Sequence, residues 1–361
     1  MQFRPPGLNL LEKPVFHFCR KNTLKTNQKR RAIIFNVLKL VVAGGLISWM
    51  VSTGKLDFGK LGILVEKPLV FLSLFGMWVF CILSAAGCRW VLLLRGAGYV
   101  MQWSRGILLQ AIGLFFNTAM PGAVGGDIVK VTYVIRENPH QGKTPAMATI
   151  LLDRILGMYG LFTIGLVVAA LHFERFLDNP RLPGMGFLIL AVMAGITLFL
   201  CAVFVPYKQR DPIETMLSSG FPGLSILKKI YLAFRQYHYT KRYLLAGWLL
   251  SIFLQFMSML VFTYLTISIT GQDVRLIDMA LVFPIGILTT ALPISPGGLG
   301  VGHAAFEELF VMVGLRGGAD VFNVYILAQF AFNMLGALPY MIFRQNIPDL
   351  ENSPNEEAAP G

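Results

Sequence analysis

An all-α polytopic membrane protein is the fold class that this sequence predicts, and three observations predict it. Of its 361 residues, 55% are hydrophobic and only 14% charged, whereas a soluble domain carries about 25% charged residues. One water-soluble core cannot hide that much apolar surface, so lipid is the solvent. Six apolar runs cover roughly 32–52, 68–93, 147–171, 184–206, 243–270 and 320–343. Each can cross a hydrocarbon layer of about 30 Å, which takes about 20 helical residues. Finally, the basic residues gather in Met1–Arg31 and Tyr207–Arg242, both abutting apolar runs, as the positive-inside distribution requires. The formal charge of +12 is therefore read as a topology signal and as affinity for anionic lipids at the cytoplasmic face, not as nucleic-acid binding.

The chain opens with a basic cytoplasmic segment, 1–31, containing Arg20, Lys21, Lys25, Lys29, Arg30 and Arg31. The run from Ala32 to Ser52 is long and lacks an A-x-A site, so it is read as a retained span rather than a cleaved signal. Cys81 and Cys88, in the second run, are packing residues; the four cysteines show no paired ligand spacing, and no disulfide framework or metal site is expected. A membrane domain then occupies 32–344. The last residues, 345–361, hold Asp349, Glu351, Glu356 and Glu357 among prolines and read as a disordered acidic tail.

Two further apolar stretches, 105–119 and 278–292, are too short to span. Each stops at a Pro/Gly break and resumes as a second short helix, giving broken-helix hairpins at about 105–138 and 278–314. The breaks resemble each other: Thr118–Gly126 (TAMPGAVGG) aligns without a gap on Thr290–Gly298 (TALPISPGG). A duplicated broken helix points to an internal repeat of the kind transporters use; chance likeness of two Pro/Gly turns is the alternative. With both segments placed as re-entrant hairpins, the inside regions 1–31, 89–105, 128–146, 207–242 and 344–361 hold 22 basic and 8 acidic residues. The outside regions hold 7 of each. The repeats are then inverted, and both termini are cytoplasmic, in a multi-pass protein of the cell (cytoplasmic or inner) membrane.

Chemistry is expected where the hairpins turn. Helix N-termini expose unpaired N–H groups and a positive dipole end. The pairs Gly125–Gly126 and Gly297–Gly298, with Pro293, Pro296 and Gly300 beside the second, either let backbone approach an anion such as phosphate or simply permit tight helix packing. Ionisable residues inside the membrane cost at least about 2.5–3.5 kcal/mol each, so they face a partner or a wet cavity. Those placed there are Lys39, Asp127, Asp153, Arg154, Glu307 and Glu308. Asp127 either caps the returning helix or charges a cavity. Lys130, one turn on, either reaches a phosphate or snorkels to the interface. Asp153 and Arg154, as helix neighbours, point apart. An Asp127–Arg154 pair would set a guanidinium, whose fork suits phosphate, beside the first hairpin. His303 either titrates or packs, and Asn117, Gln329 and Asn333 supply either polar lining or interhelical hydrogen bonds. No Walker motif, G-x-S-x-G, HExxH or dinucleotide fingerprint occurs, so neither an ATP-driven pump nor a bound cofactor is expected.

At Met120–Lys130 (MPGAVGGDIVK), Leu152–Leu156 (LDRIL) and Leu292–Val301 (LPISPGGLGV) the chain resembles the membrane flippase region of lysylphosphatidylglycerol synthases and its free-standing relatives, over roughly residues 30–345. The resemblance implies movement of a phosphate-bearing lipid head group, of aminoacyl-phospholipid or polyprenyl-phosphate type. The cytosolic aminoacyltransferase domain of the two-domain relatives is absent, so a separately encoded lipid-modifying enzyme is the implied partner. The chain departs from the family at His303, where glutamate is usual; Glu307, one turn on, is the group that can stand in. An intramembrane lipid-modifying enzyme using Asp127 or Asp153 as base, and a small-solute channel between opposed half-helices, are the competing readings.

Overall fold

The computed structural model describes residues 52, 58–119, 125–172, 174, 182–204, 211–218, 224–291 and 300–344. The basic segment 1–31, the run 32–51 and the tail 345–361 therefore lie outside the described residues, as do both hairpin tips. The chain divides into the units Met1–Ser52 and Thr53–Gly361, and the architecture below is that of the second.

Every described element is helical. Five helices are long and apolar enough to cross a membrane: Pro68–Gly96 (α1), Lys143–Leu171, Leu182–Phe204, Lys241–Thr270 and Gly318–Ile342. They match five of the six expected spans. Proline sits at the first position of α1, where its missing N–H costs nothing. The middle of α1, Trp78–Ala85, winds as π-helix. Trp103–Ala119 (α2) and Gly125–Glu137 (α3) form the first hairpin, before Lys143–Leu171 (α4). Leu182–Phe204 (α5) leads to two surface helices, Pro212–Leu217 (α6) and Leu224–Arg235 (α7). Lys241–Thr270 (α8) ends at Gly271, whose φ of +64° is a left-handed cap that suits glycine. Leu276–Ala291 (α9) and Val301–Met312 (α10) make the second hairpin; Gly318–Met334 (α11) and Ala337–Arg344 (α12) close the unit. The order long, short, short, long thus occurs twice, in α1–α4 and again from α8 to the span Gly318–Ile342 that α11 and α12 make together.

Hydrogen bonds fix which ends share a face. At one face, Val100 N donates to Asn138 Oδ1 (3.1 Å), Tyr237 Oη to Leu93 O (2.7 Å) and Thr240 Oγ1 to Gly96 O (3.0 Å), while His238 Nδ1 meets Phe204 O at 3.1 Å. This gathers the end of α1, the mouth of the first hairpin, the start of α4, the end of α5 and the start of α8. At the opposite face, Lys67 Nζ donates to Ser268 O (2.7 Å), and Gln272 and Arg316 exchange hydrogen bonds of 2.9 and 3.1 Å. The mouth of the second hairpin lies there. The two hairpins therefore enter from opposite faces. The first face carries Arg95, Arg105, Arg136, Lys143, Lys228, Lys229, Arg235, Lys241 and Arg242 against Glu137, Asp211 and Glu214; on the second, Lys67, Arg275 and Arg316 stand against Glu66, Asp273, Asp278 and Asp320.

Within the first hairpin the two helices run antiparallel, from Arg105–Glu137 (2.7 Å) at the mouth, through Lys130–Gln110 (3.1 Å), to Gly126–Asn117 (2.9 Å) near the tip. Lipid offers no hydrophobic drive between helices, so close packing through small residues supplies the contact. A Cβ on Gly126 would lie 1.9 Å from Gly113 O, and one on Gly160 would lie 2.6 Å from Ser251 Cβ. One boundary differs from the sequence expectation: α1 runs on to Gly96, past the expected end near 93, and buries Arg89 to 8% exposure. The first hairpin ends at Glu137, close to the expected 138, and keeps Lys130, Val131 and Val134 buried.

Candidate functional site

The chemistry gathers on α1, α3 and α4. Asp127, in the first turn of α3, receives Arg154 on Oδ2 at 2.5 and 3.1 Å and faces Lys130 Nζ across 3.5 Å from Oδ1. Lys130 also donates to Gln110 Oε1 at 3.1 Å and stands over the Trp90 ring at 4.6 Å. At 5% exposure it does not snorkel. Asp153 accepts two parallel hydrogen bonds from Arg89, 2.7 Å from Nε and 3.0 Å from Nη2, and Arg89 Nη1 donates to Ser251 Oγ at 3.0 Å. The neighbours Asp153 and Arg154 point apart, as helix geometry demands. One ties α4 to α1; the other ties α4 to the first hairpin.

Arg89 opens onto a cavity of about 280 Å³ between the two halves of the fold. Cys81, Ile82 and Arg89 of α1 and Gln110 of α2 form one wall, and Gln255, Ser258, Thr290, Tyr325 and Gln329 of α8, α9 and α11 contribute to the other. Among the described residues its wall holds no histidine and no carboxylate. The π-helical stretch of α1 contributes Cys81 and Ile82, the latter accepting from Gln110 at 3.4 Å. Burying such polar side chains amid apolar helices is costly unless they are hydrogen-bonded, and Gln255 Nε2 donates to Gly157 O at 3.4 Å and Gln329 Nε2 to Tyr325 Oη at 3.0 Å.

Of the residues singled out in the sequence, Asp127, Lys130 and Arg154 come together, while Asp153 pairs with Arg89 instead. Gly125 is half-buried and Gly126 buried in α3. Pro293, Pro296, Gly297 and Gly298 lie outside the described residues. Gly300, at φ +84°, has its N–H turned to His303 Nδ1 at 3.3 Å, and buried His303 meets Asn323 at 3.4 Å through Nε2. Glu307 Oε2 accepts from Ala319 N at 2.9 Å, a carboxylate at the N-terminus of α11; Glu308 is exposed. The hairpin N-termini are thus not bare anion seats: Gly126 N donates to Asn117 Oδ1, Gly300 N to His303, and Asp127 puts negative charge on the first. Glycine at 126 is required by packing against Gly113.

Sequence reasoning missed Arg89, because an arginine near the end of an apolar run looks like the edge of a span. A signal was present: Asp153 had no cation within helical reach on its own helix, so a partner elsewhere was owed. Gln110, Gln255 and Ser258 carried no such signal.

Comparison with known proteins gives a family. The family described as the lysylphosphatidylglycerol synthase TM region matches residues 36–337. The chain belongs to that family. The match covers the whole described unit from α1 to the start of α12 and no other domain. A UPF0104 membrane protein of Methanothermobacter thermautotrophicus is 24% identical over 344 residues, 89% of this chain and 91% of the relative, so the likeness runs nearly end to end. A UPF0104 membrane protein of Pyrococcus horikoshii is 25% identical over 247 residues, 63% of this chain and 72% of the relative. No solved structure matches.

Proposed function

We propose that the chain moves a phosphate-bearing lipid head group across the bilayer, through the cavity between its two halves, while the acyl chains stay in lipid. The observation that carries this reading is buried Arg89, held by Asp153 and Ser251 and facing a cavity of mixed polar and apolar lining amid membrane-spanning helices. A guanidinium is the side chain best matched to a phosphate oxygen pair. Two half-helix hairpins entering from opposite faces suit rocking of one half against the other, with the site fixed between them. In this reading the basic face is cytoplasmic, so both termini are too, and the membrane is the cell membrane. The lipid comes from a separately encoded lipid-modifying enzyme.

The test is translocation of head-group-labelled phosphatidylglycerol in proteoliposomes. Wild type should move it, and folded Arg89→Gln should lose at least about 90% of the rate, in keeping with removal of a central charge contact. Equal rates in the two proteins remove the cavity from the account. Rapid passage of ions or small solutes without lipid movement favours the channel.

A further inference from the structure

Four neutral side chains on the far wall of the cavity, Gln255, Ser258, Tyr325 and Gln329, keep hydrogen-bonding capacity that the protein leaves unused. On α8, the buried hydroxyls of Ser251, Thr263 and Thr266 each donate to the carbonyl four residues back, at 2.8 Å. Ser258 lies on the same helix, is 8% exposed and lines the cavity, yet its hydroxyl has no hydrogen-bond partner among the described residues. Its oxygen is not shut away, because Tyr133 Oη is the one enclosed, unpartnered side-chain polar atom among those residues. Ser258 Oγ therefore opens into the cavity. Gln255, one turn earlier on the same face, commits one amide N–H to Gly157 O at 3.4 Å, and its Oε1 has no partner among the described residues. On α11, Gln329 donates one N–H to Tyr325 Oη at 3.0 Å, which leaves Gln329 Oε1 and the Tyr325 hydroxyl proton in the same condition. The wall thus presents two amide acceptors and two hydroxyl donors, and hydrogen bonds left unmade in an apolar interior cost free energy. Arg89 lies on the facing wall. Of the five N–H groups of a guanidinium, Nε, Nη1 and Nη2 of Arg89 commit one each to Asp153 or Ser251, and two remain.

We infer that the cavity seats a polyol head group, with its phosphate on the remaining N–H groups of Arg89 and its hydroxyls on Gln255, Ser258, Tyr325 and Gln329. This rests on the head-group-transport reading and narrows it to lipids whose phosphate carries glycerol or a single sugar. The reason is donor and acceptor arithmetic. A hydroxyl both donates and accepts, so a pair of them satisfies the two amide oxygens and the two hydroxyl protons together. A primary ammonium only donates; it serves the amide oxygens and leaves the Ser258 and Tyr325 protons without an acceptor. A trimethylammonium does neither. A head group with no polar atom beyond its phosphate leaves all four side chains as they are. The cavity of about 280 Å³ falls at the lower edge of the ~300–1,000 Å³ typical of sites for drug-sized ligands, so it takes one such unit and not an oligosaccharide.

The experiment uses the full chain in detergent and reads its thermal stabilisation by graded concentrations of short-chain phospholipids. The central pair is phosphatidylglycerol and phosphatidylmethanol, which carry the same phosphodiester charge and differ in the hydroxyls. Phosphatidylglycerol should bind about tenfold tighter, the scale of one or two net hydrogen bonds, and phosphatidylethanolamine should fall short of it by a similar factor. Ser258→Ala and Gln329→Leu should each weaken phosphatidylglycerol about three- to tenfold and leave phosphatidylmethanol unchanged, whereas a packing defect weakens both lipids. Either variant suffices should the other fail to fold. Equal binding of the central pair, equal weakening of both lipids by the variants, or phosphatidylethanolamine as tight as phosphatidylglycerol overturns the inference. Equal stabilisation by sn-glycerol 3-phosphate overturns the lipid as ligand and makes this a seat for a soluble polyol phosphate. The same lipids in proteoliposomes separate the two ideas. Hydroxyl-selective binding without transport defeats the transport reading and leaves the polyol seat; transport of phosphatidylglycerol and phosphatidylmethanol at one rate, with equal binding, does the reverse.

Discussion

The two hairpins share a backbone plan and differ in almost everything else. Both pair a short apolar helix with a second that starts after a Pro/Gly break, and both are followed by a long helix. In the first, the returning helix presents Asp127 and Lys130, answered by Arg154 and Gln110. In the second, the same place holds aromatic contacts: Phe306 stacks on Phe322 at 5.0 Å and packs tilted against Phe262 at 5.0 Å, and Phe262 meets Tyr325 edge-on at 5.3 Å. Its polar groups are turned to structural tasks, His303 toward Gly300 N and Asn323, Glu307 onto the start of α11. A duplicated fold thus need not carry a duplicated site. The first hairpin holds charge; the second supplies a rigid wall.

Breaking the first hairpin mechanically should have the largest effect. Gly126→Ala forces a Cβ to 1.9 Å from Gly113 O, a backbone clash that no rotamer relieves. A cost of about 3 kcal/mol or more should show as loss of folded protein on size exclusion. The matching control, Gly76→Ala, has nothing within 4 Å of its new methyl and should leave yield and melting unchanged. Next comes Asp127→Asn, which leaves Lys130 and Arg154 without their carboxylate. Breaking a buried pair costs about 3–5 kcal/mol; with Arg154 at 46% exposure, about 2–3 kcal/mol is expected, read as a lowered melting temperature.

The second hairpin should tolerate its equivalents better. His303→Gln retains a polar group near Gly300 N and should cost about 1 kcal/mol, the scale of one hydrogen bond. Glu307→Gln keeps the hydrogen bond to Ala319 N but loses the charge at the α11 N-terminus, a loss of about 0.5 kcal/mol. Losses equal to those of the first hairpin would collapse the distinction.

The smallest effect lies outside both hairpins. Asp211 caps α6 by accepting from Ile213 and Glu214 N–H, and it also receives Tyr231 and Arg235 of α7. Burial alone would raise its pKa, but the Tyr231 and backbone hydrogen bonds and the Arg235 charge more than offset that and hold it below the usual carboxylate value. A folded-state pKa that is lowered stabilises above the unfolded value and stops doing so as pH falls through the folded one. Hydrogen exchange in α6–α7 should thus be unchanged from neutral pH down to the ordinary carboxylate range and rise only below it. Asp211→Asn should abolish that acid-induced rise.

What the sequence made legible was whatever has a length or a period. Five spans fall within a few residues of their expected places, because a bilayer needs a fixed helix length and apolar runs advertise it. Both broken helices were legible because proline and glycine mark their breaks. The Asp127–Arg154 pair was foreseeable since each charge needs a partner. Arg89 was not, because its role depends on Asp153, 64 residues away, and on α1 continuing to Gly96. Lys130 was open between two readings; only packing beneath Trp90 and Gln110 decides against snorkelling. The occupied helix N-termini were hidden for a similar reason: Asn117 is nine residues from the N–H it accepts, and its sequence position alone suggests no more than polar lining.

The most direct test of the central claim, that chemistry resides at the first hairpin and support at the second, is a side-by-side transport measurement. Translocation of labelled phosphatidylglycerol would be compared in proteoliposomes holding equal amounts of folded wild type, Asp127→Asn and His303→Gln. The account predicts a loss of about tenfold or more for Asp127→Asn, matching removal of a buried charge partner, and less than about threefold for His303→Gln. Comparable losses in the two variants, or a larger one for His303→Gln, would contradict it.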